Sequence, residues 1–345
     1  MKKIDKDEKI FKLPPYTCEE VVGTLSQSQD WGISKNNIPS AWEVTKGKGA
    51  VVMVLDTGDT HHKDLEGAMD HERSLSTVPR SDKIDRQYHS THCSGIIGAR
   101  NNDFGVVGVA PECTIITVKV LGDDGSGSFN SIIKGLEYAV KVKPDVVSMS
   151  LGAPVGHFDV HRLIKELHDL NIPCICAAGN EGKNSQVGFP ARYPECIAVA
   201  AHDKRRKTAG FSSSGQEVFI SAPGVDIYST YRENSYAKLS GTSMATPFIA
   251  GVIALLVAKH RIQEAEGKPN DCKTVDDIKE HLKKYAIDSG KLGRDDNFGF
   301  GYIDVSKLIR EGSIIDPVKP PRRKKRNIFR KIGAWFRKTV GNVKF

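Results

Sequence analysis

Three residues in this sequence, taken together, could carry nucleophilic chemistry: Asp56, His89 and Ser243. Asp56 ends the apolar run Val51-Val-Met-Val-Leu55, which places a carboxylate just past the end of an expected strand, where open parallel sheets bind ligands. Alone, an acid there serves equally well as a cap or turn former. His89 opens His89-Ser-Thr-His92-Cys-Ser-Gly95-Ile-Ile-Gly98, the pattern of a helix start whose two glycines let the helix lie close on a sheet. Two histidines three apart also suit a metal or a buried hydrogen-bonding role. Ser243, in Leu239-Ser-Gly-Thr-Ser243-Met-Ala-Thr-Pro247, runs into an apolar helix expected over Phe248–Ala258, and a helix N-terminus favours negative charge beside it. A serine hydroxyl is a poor nucleophile until a base takes its proton, and a carboxylate must hold that base in the correct tautomer. Asp, His and Ser in this chain order match one of the orders in which such a triad occurs.

The elements that must position these groups are short and mostly apolar. The runs Ala50–Leu55, Thr114–Leu121, Val146–Leu151, Ile172–Ala178, Cys196–Ala200 and Val218–Ala222 are apolar almost throughout, as strands covered on both faces are. Ile132, Ile133, Leu136, Ala139 and Val140 mark one face of a helix that Pro144 stops. Thr274-Val-Asp-Asp277 is a capping box for a helix reaching about Tyr285. Alternating strands and helices predict an α/β fold, a mainly parallel twisted sheet with helices on both faces. Residues 1–24 form a polar N-terminal extension, 25–312 the catalytic body, and 313–345 a proline-containing linker with a basic tail.

The Asp56-Thr-Gly58, His89-Ser-Thr-His92 and Gly241-Thr-Ser243-Met-Ala-Thr-Pro247 segments resemble the Asp, His and Ser motifs of the subtilisin-like serine proteases, in order and spacing, across roughly residues 25–312. The resemblance implies a serine endopeptidase with Asp56, His89 and Ser243 as its triad and a structural His92. Ser90 stands where the family usually has glycine. Ala177-Ala-Gly-Asn180-Glu-Gly182 is similar to the family's oxyanion motif and implies Asn180 as side-chain donor. Two Gly/Ser segments resemble those that sandwich the substrate backbone, which implies contacts from Ser126, Gly127, Ser150, Leu151 and Gly152. Gly188 looks like the floor of the first specificity pocket and Glu181 its rim, implying broad specificity with a preference for large apolar residues.

Residues 100–111 are similar to the family's calcium loop, where a structural Ca2+ would take oxygen ligands. The resemblance implies ligation by Asn102, the carbonyls of Arg100, Phe104 and Val106, the Asp64 carboxylate and Gln27. The stretch from Asp56 to Asp64 is one residue shorter than the family pattern, and Lys63 replaces a usual proline. Leu13-Pro14-Pro15-Tyr16 resembles the short N-terminal extension of the intracellular subtilisins, which lies across the active site and restrains it. His157 and His161, at i and i+4, could serve as a zinc pair or as a solvated surface pair.

The chain of 345 residues carries a formal charge of +8, but eleven Lys/Arg and no acid fall after residue 317, leaving −3 on the rest. Seven cysteines, with no apolar leader at the start, point to reduced thiols and a cytoplasmic setting. In the tail, Ile328, Phe329, Ile332, Trp335, Phe336 and Val340 share one helical arc opposite Arg330, Lys331, Arg337 and Lys338. Such a helix suits an anionic membrane surface through residues 322–340, on the inner membrane face. The partners expected are therefore protein or peptide substrates, that surface and a second copy in a homodimer. Base-stacking motifs are absent, which disfavours nucleic acid.

Overall fold

The apolar runs become neighbouring strands of one sheet. Residues 6–21 and 26–311 are described in this computed structural model, so the linker and basic tail lie outside the described residues. The strands are β1 (Lys9–Lys12), β2 (Thr17–Val21), β3 (Val51–Asp56), β4 (Leu75–Ser76), β5 (Thr114–Lys119), β6 (Ser126–Ser128) and β7 (Val146–Met149). They continue as β8 (Cys174–Ala177), β9 (Ile197–His202), β10 (Val218–Pro223), β11 (Ile227–Thr230), β12 (Tyr236–Ser240), β13 (Ala286–Ile287) and β14 (Tyr302–Ile303). The helices are α1 (Trp31–Lys35), α2 (Ile38–Ala41), α3 (His89–Gly98), α4 (Phe129–Val142), α5 (Phe158–Asp169), α6 (Thr242–Ala265), α7 (Val275–Lys284) and α8 (Val305–Arg310).

Nine strands form the main sheet in the order β13-β14-β10-β9-β8-β7-β3-β5-β4, parallel except for the β13–β14 pair. The order reverses at β3, so the crevice beyond its carboxyl end, where Asp56 sits, is the switch point of the sheet. Val52 and Val54 face one core with α3 and α6, while Met53 and Leu55 face a second core with α4 and α5. This is why β3 is apolar at every position before Asp56. Of the helices foreseen, α4 ends at Val142 with Lys143 left-handed (φ 54°), just before Pro144. The capping box opens α7, with Thr274 Oγ1 accepting from Asp277 N (3.1 Å) and Asp277 Oδ2 accepting from Thr274 N (2.9 Å).

The helix after the Ser motif departs from expectation. It starts at Thr242 rather than Phe248 and runs to Ala265 rather than Ala258, with Pro247 inside it. A proline here removes the N–H that would bond the carbonyl four residues back, which is that of Ser243. That carbonyl is served from outside the helix, by Ser150 Oγ (2.9 Å) and Cys93 Sγ (3.4 Å), so the helix tolerates the proline. By length and composition α6 could cross a membrane, but 94% of its apolar window is buried inside the body.

The α3 glycines face different elements. Gly98 meets Cys113 and Ile115 beside β5, while Gly95 meets Ser229 and Thr230 of β11. Those two hydroxyls donate to the carbonyls of His92 (2.8 Å) and Thr91 (2.7 Å), which clamps helix to strand. A Cβ on Gly95 would overlap both hydroxyl oxygens, whereas one on Gly98 would meet Cys113 Sγ at 3.0 Å and Ile115 Cδ1 at 3.1 Å. Gly95→Ala is therefore expected to destabilise the fold by ~1–3 kcal/mol, and Gly98→Ala by less, as measured by urea unfolding. Equal effects would show that the clamp is not the constraint.

Candidate active site

Asp56, at the end of β3, and His89, the first residue of α3, are both fully buried. His89 Nδ1 lies 2.9 and 3.0 Å from the two carboxylate oxygens of Asp56. A carboxylate only accepts, so Nδ1 carries a proton and, in the neutral ring, Nε2 presents its lone pair. Burial pulls the His89 pKa down, but the Asp56 carboxylate and the adjacent Cys93 sulfur outweigh it and hold the pKa well above 6.5.

The pair is set by a residue the sequence reading missed. Asp85, itself buried, accepts from Thr57 Oγ1 (2.8 Å), Gln87 N (3.1 Å), Tyr88 N (2.8 Å), Thr91 N (2.8 Å) and Thr91 Oγ1 (2.8 Å). It thereby joins the turn after Asp56 to the first turn of α3. Tyr88, one residue before His89, takes the left-handed conformation (φ 65°). An acid four residues before the motif histidine was the available signal, and it is a weak one. Ser90, the family departure, fits without exposure, its N–H donating to Thr57 Oγ1 (3.0 Å). His92 has another task. Its Nε2 lies 3.1 Å from the carbonyls of both Ile227 and Ala237, and burial lowers its pKa to about 3, which keeps it neutral.

Ser243 is the second residue of α6, and its Oγ donates to Ser150 O (3.4 Å). His89 Nε2 has no partner among the described residues. Asn180 follows β8, beyond Gly179, whose φ of +115° suits glycine. Its Oδ1 accepts from Thr242 N (2.9 Å) and Thr242 Oγ1 (2.8 Å), which fixes the amide and aims Nδ2 into the cleft. There Nδ2 donates to Pro15 O (2.7 Å).

That carbonyl belongs to the N-terminal extension, which lies in the cleft as an added strand. β1 pairs antiparallel with β6, matching Phe11 with Gly127 and Lys12 with Ser126. Leu13 N donates to Gly125 O (3.1 Å) on the same side, and on the other side Lys12 and Gly152 exchange two backbone hydrogen bonds of 2.9 Å. Past the cleft, β2 pairs with β12. Phe11 is buried edge-on against Phe129 (5.1 Å), and the Tyr16 ring packs on His89 (5.2 Å). Lys9–Asp124 (2.7 Å) and Lys6–Asp159 (2.6 Å) ion pairs tie down the start.

Ser126, Gly127 and Gly152 thus flank the bound strand, and Ser150 backs Ser243. The Leu151 side chain is fully buried, in the same apolar cluster as Phe11 of the bound strand. Successive residues alternate sides, and Leu151 points into the core with Met149. Gly188 and Glu181 line a cavity of about 740 Å³ beside Pro14, with Arg192 in its wall. Glu181 accepts from Ser213 Oγ (2.9 Å).

The residues of the foreseen calcium loop also converge. Gln27 Nε2 faces Arg100 O (2.8 Å), Asn102 Oδ1 (3.2 Å) and Val106 O (3.3 Å). Asp64 accepts from Asn102 Nδ2 (2.8 Å) and Val106 N (2.6 Å), and burial raises its pKa. At Phe104 only the backbone N–H is engaged by this group, donating to Asn102 Oδ1 (3.2 Å). The rings of His157 and His161 go separate ways: one caps α5 through Asp159 N (3.2 Å), and the other pairs with Glu195 (3.0 Å). All seven cysteines are free.

Comparison with known proteins agrees with this geometry. The pattern of the subtilase family matches residues 47–301. An intracellular serine protease of Paenibacillus polymyxa is 42% identical over 233 residues, covering 65% of this chain and 72% of that protein. A thermostable alkaline protease of Halalkalibacterium halodurans is 41% identical over 261 residues, 75% of this chain and 70% of its own length. The minor extracellular protease Epr of Bacillus subtilis is 35% identical over 281 residues, which is 81% of this chain but only 42% of that longer protein. The matched stretch holds Asp56, His89, Asn180 and Ser243 together, and the chain belongs to the subtilase family of serine endopeptidases.

Proposed function

We propose that this chain hydrolyses peptide bonds with Ser243 as nucleophile, His89 as base, Asp56 as its partner and Asn180 as oxyanion donor, and that its own N-terminal extension keeps it latent. The observation that carries the reading is the peptide carbonyl of Pro15 seated on Asn180 Nδ2 in a cleft that holds its strand on both sides. In turnover, Ser243 Oγ attacks the substrate carbonyl carbon as its proton passes to His89 Nε2. Asp56 stabilises the imidazolium, and Asn180 Nδ2 binds the oxyanion. His89 then protonates the leaving amine, and water hydrolyses the acyl-enzyme by the same route. The glycine at position 188 and the size of the adjoining cavity favour broad specificity with large apolar side chains in the first pocket.

Latency follows from register and rotamer. Lys12 and Leu13 make the strand hydrogen bonds, and Pro14 comes next, buried beside the specificity cavity. In a productive complex the residue in that pocket presents its own carbonyl to the oxyanion donor. Here the carbonyl on Asn180 is that of Pro15, one residue too far. Two consecutive prolines lack the N–H groups that would hold a regular strand through this point. Meanwhile Ser243 Oγ is turned to Ser150 O rather than to His89. The cytoplasm suits seven free thiols and a relative named as intracellular.

The calcium loop fits its ion. An amide Nε2 has two N–H groups, and three acceptors face the Gln27 one, so the oxygens outnumber the donors. Gln27, Asp64, Asn102 and the carbonyls of Arg100, Phe104 and Val106 would hold Ca2+, whose contribution is structural. Lys63 leaves the fit intact, since the Asp64 carboxylate remains turned toward Asn102 and Val106.

Ser243→Ala is expected to abolish hydrolysis of a peptide library with circular dichroism unchanged. Asn180→Ala should lower kcat by ~10²–10³, the size established for this donor in subtilisin itself rather than a value read from this geometry. Residual turnover by Ser243→Ala would overturn the assignment. Removing residues 1–24 should raise kcat/KM for an unrelated peptide, and equal activity of both forms would end the latency proposal. Because His89 acts as a base only when neutral and its pKa is raised, activity of the truncated form should climb with pH along a limb lying above pH 6.5. An acid limb below 6.5 contradicts that. Chelation by EDTA should lower the melting temperature of the Ser243→Ala chain, and Asp64→Asn should remove most of that dependence. A melting temperature indifferent to chelation would empty the calcium proposal.

A further inference from the structure

A second cluster of ligand-type side chains lies at the far end of α6. His260 is seventeen residues along that helix from Ser243, ~26 Å at 1.5 Å per residue. It is 3% exposed, and neither ring nitrogen has a hydrogen-bond partner among the described residues. Burial and the neighbouring Lys259 lower its pKa to about 4, so the ring is neutral and offers a lone pair. His281, on α7, stands nearly perpendicular to it with ring centroids 5.8 Å apart. Its Nδ1 is 3.0 Å from Asp277 O, and a carbonyl can only accept, so that nitrogen is protonated. In the neutral ring, Nε2 therefore carries a lone pair, and it faces Asp271 Oδ1 at 3.5 Å. Asp271 comes from the segment that joins α6 to α7. Ligand atoms of all three residues lie within 4.8 Å of one another.

With neither His260 nitrogen engaged, its tautomer is free to turn a lone pair toward Asp271 and His281 Nε2, and a cation among the three atoms would answer all of them. A protonated His281 would answer Asp271 alone and leave His260 unserved. We propose that His260, Asp271 and His281 bind a late first-row divalent cation of the zinc class. Two imidazoles and one carboxylate are the donor set such ions favour. Ligating histidines characteristically donate their other ring N–H to a carbonyl or carboxylate, as His281 does to Asp277 O. With bonds of ~2.1 Å, tetrahedral ligands sit ~3.4 Å apart, and the His281–Asp271 pair is already at that separation. The Asp271 side chain is 76% exposed, so it can rotate to close the rest and leave a fourth position to water. Lys259 adds an opposing charge, but its Nζ is directed to Leu308 O (3.2 Å) and Glu311 O (2.7 Å) near α8. The bound ion would staple residues 266–274 to both helices, apart from the cleft and independently of the peptidase mechanism.

The test uses the full chain carrying Ser243→Ala, stripped with EDTA, desalted and returned to excess Ca2+. Titration with ZnCl2, followed by calorimetry and thermal melting, is expected to show one tight equivalent and a rise in melting temperature. Asp271→Asn and His281→Gln, both at the surface side of the site, should each weaken that binding by at least ~10-fold and remove the thermal shift. His161→Gln should leave both unchanged. Absence of a tight equivalent overturns the proposal. So does tight binding that survives Asp271→Asn and His281→Gln, which would put the ion elsewhere, for instance among Asp56, His89 and Cys93.

Discussion

The Asp56–His89 hydrogen bond is the interaction on which the rest of this structure depends. Both groups are wholly removed from water, and an ionised carboxylate so placed is costly unless donors converge on it. Thr57 N supplies one donor (2.7 Å), and His89 Nδ1 supplies the other. The second comes from a different element, so β3 and α3 must meet with strand end and helix start in register. Asp85 enforces this with five accepted hydrogen bonds, and it holds Tyr88 in a left-handed conformation that costs ~1–3 kcal/mol when unsupported. The α3–β11 clamp at Gly95 and the two carbonyls that hold His92 fix the rest of the helix.

The Ser243 end of the cleft is organised by a deletion. Pro247 takes away one helical hydrogen bond, and the orphaned carbonyl of Ser243 becomes an acceptor for Ser150 Oγ and Cys93 Sγ. Those bonds tie the first turn of α6 to the segment after β7 and to α3, the two elements that flank the cleft. A residue that would break an ordinary helix therefore acts here as a locating pin. Thr242 does the same for Asn180, since its N–H and hydroxyl both occupy Oδ1 and leave Nδ2 to face the Pro15 carbonyl in the cleft.

Much of this was legible in the sequence because its signals are local. Six apolar runs gave the strands to within a few residues, since a strand covered on both faces needs apolar residues at every position. The capping box of Thr274 and Asp277 named the start of α7 for the same reason. The start of α6 was misplaced because a proline inside a helix is admissible only if its lost partner is replaced, and the replacements come from residues 93 and 150. Asp85 was missed on similar grounds: its importance lies in the number of donors that folding gathers around it. The three residues proposed as a metal site share no motif at all, because the segment between α6 and α7 brings them together.

The extension occupies the cleft through the strand pairing that a substrate would use, and the proposed latency rests on this. Its affinity comes from features any peptide could offer: backbone pairing to residues 125–128 and Gly152, and an aromatic anchor at Phe11. What distinguishes it is covalent attachment and the Pro14-Pro15 pair. Attachment makes its binding intramolecular, so a free peptide must compete against a high effective concentration. The carbonyl on Asn180 is that of the second proline, and Tyr16 stays packed on His89. On the proposed reading, a peptide held in the wrong register blocks the site with the same hydrogen bonds that would otherwise present it for cleavage.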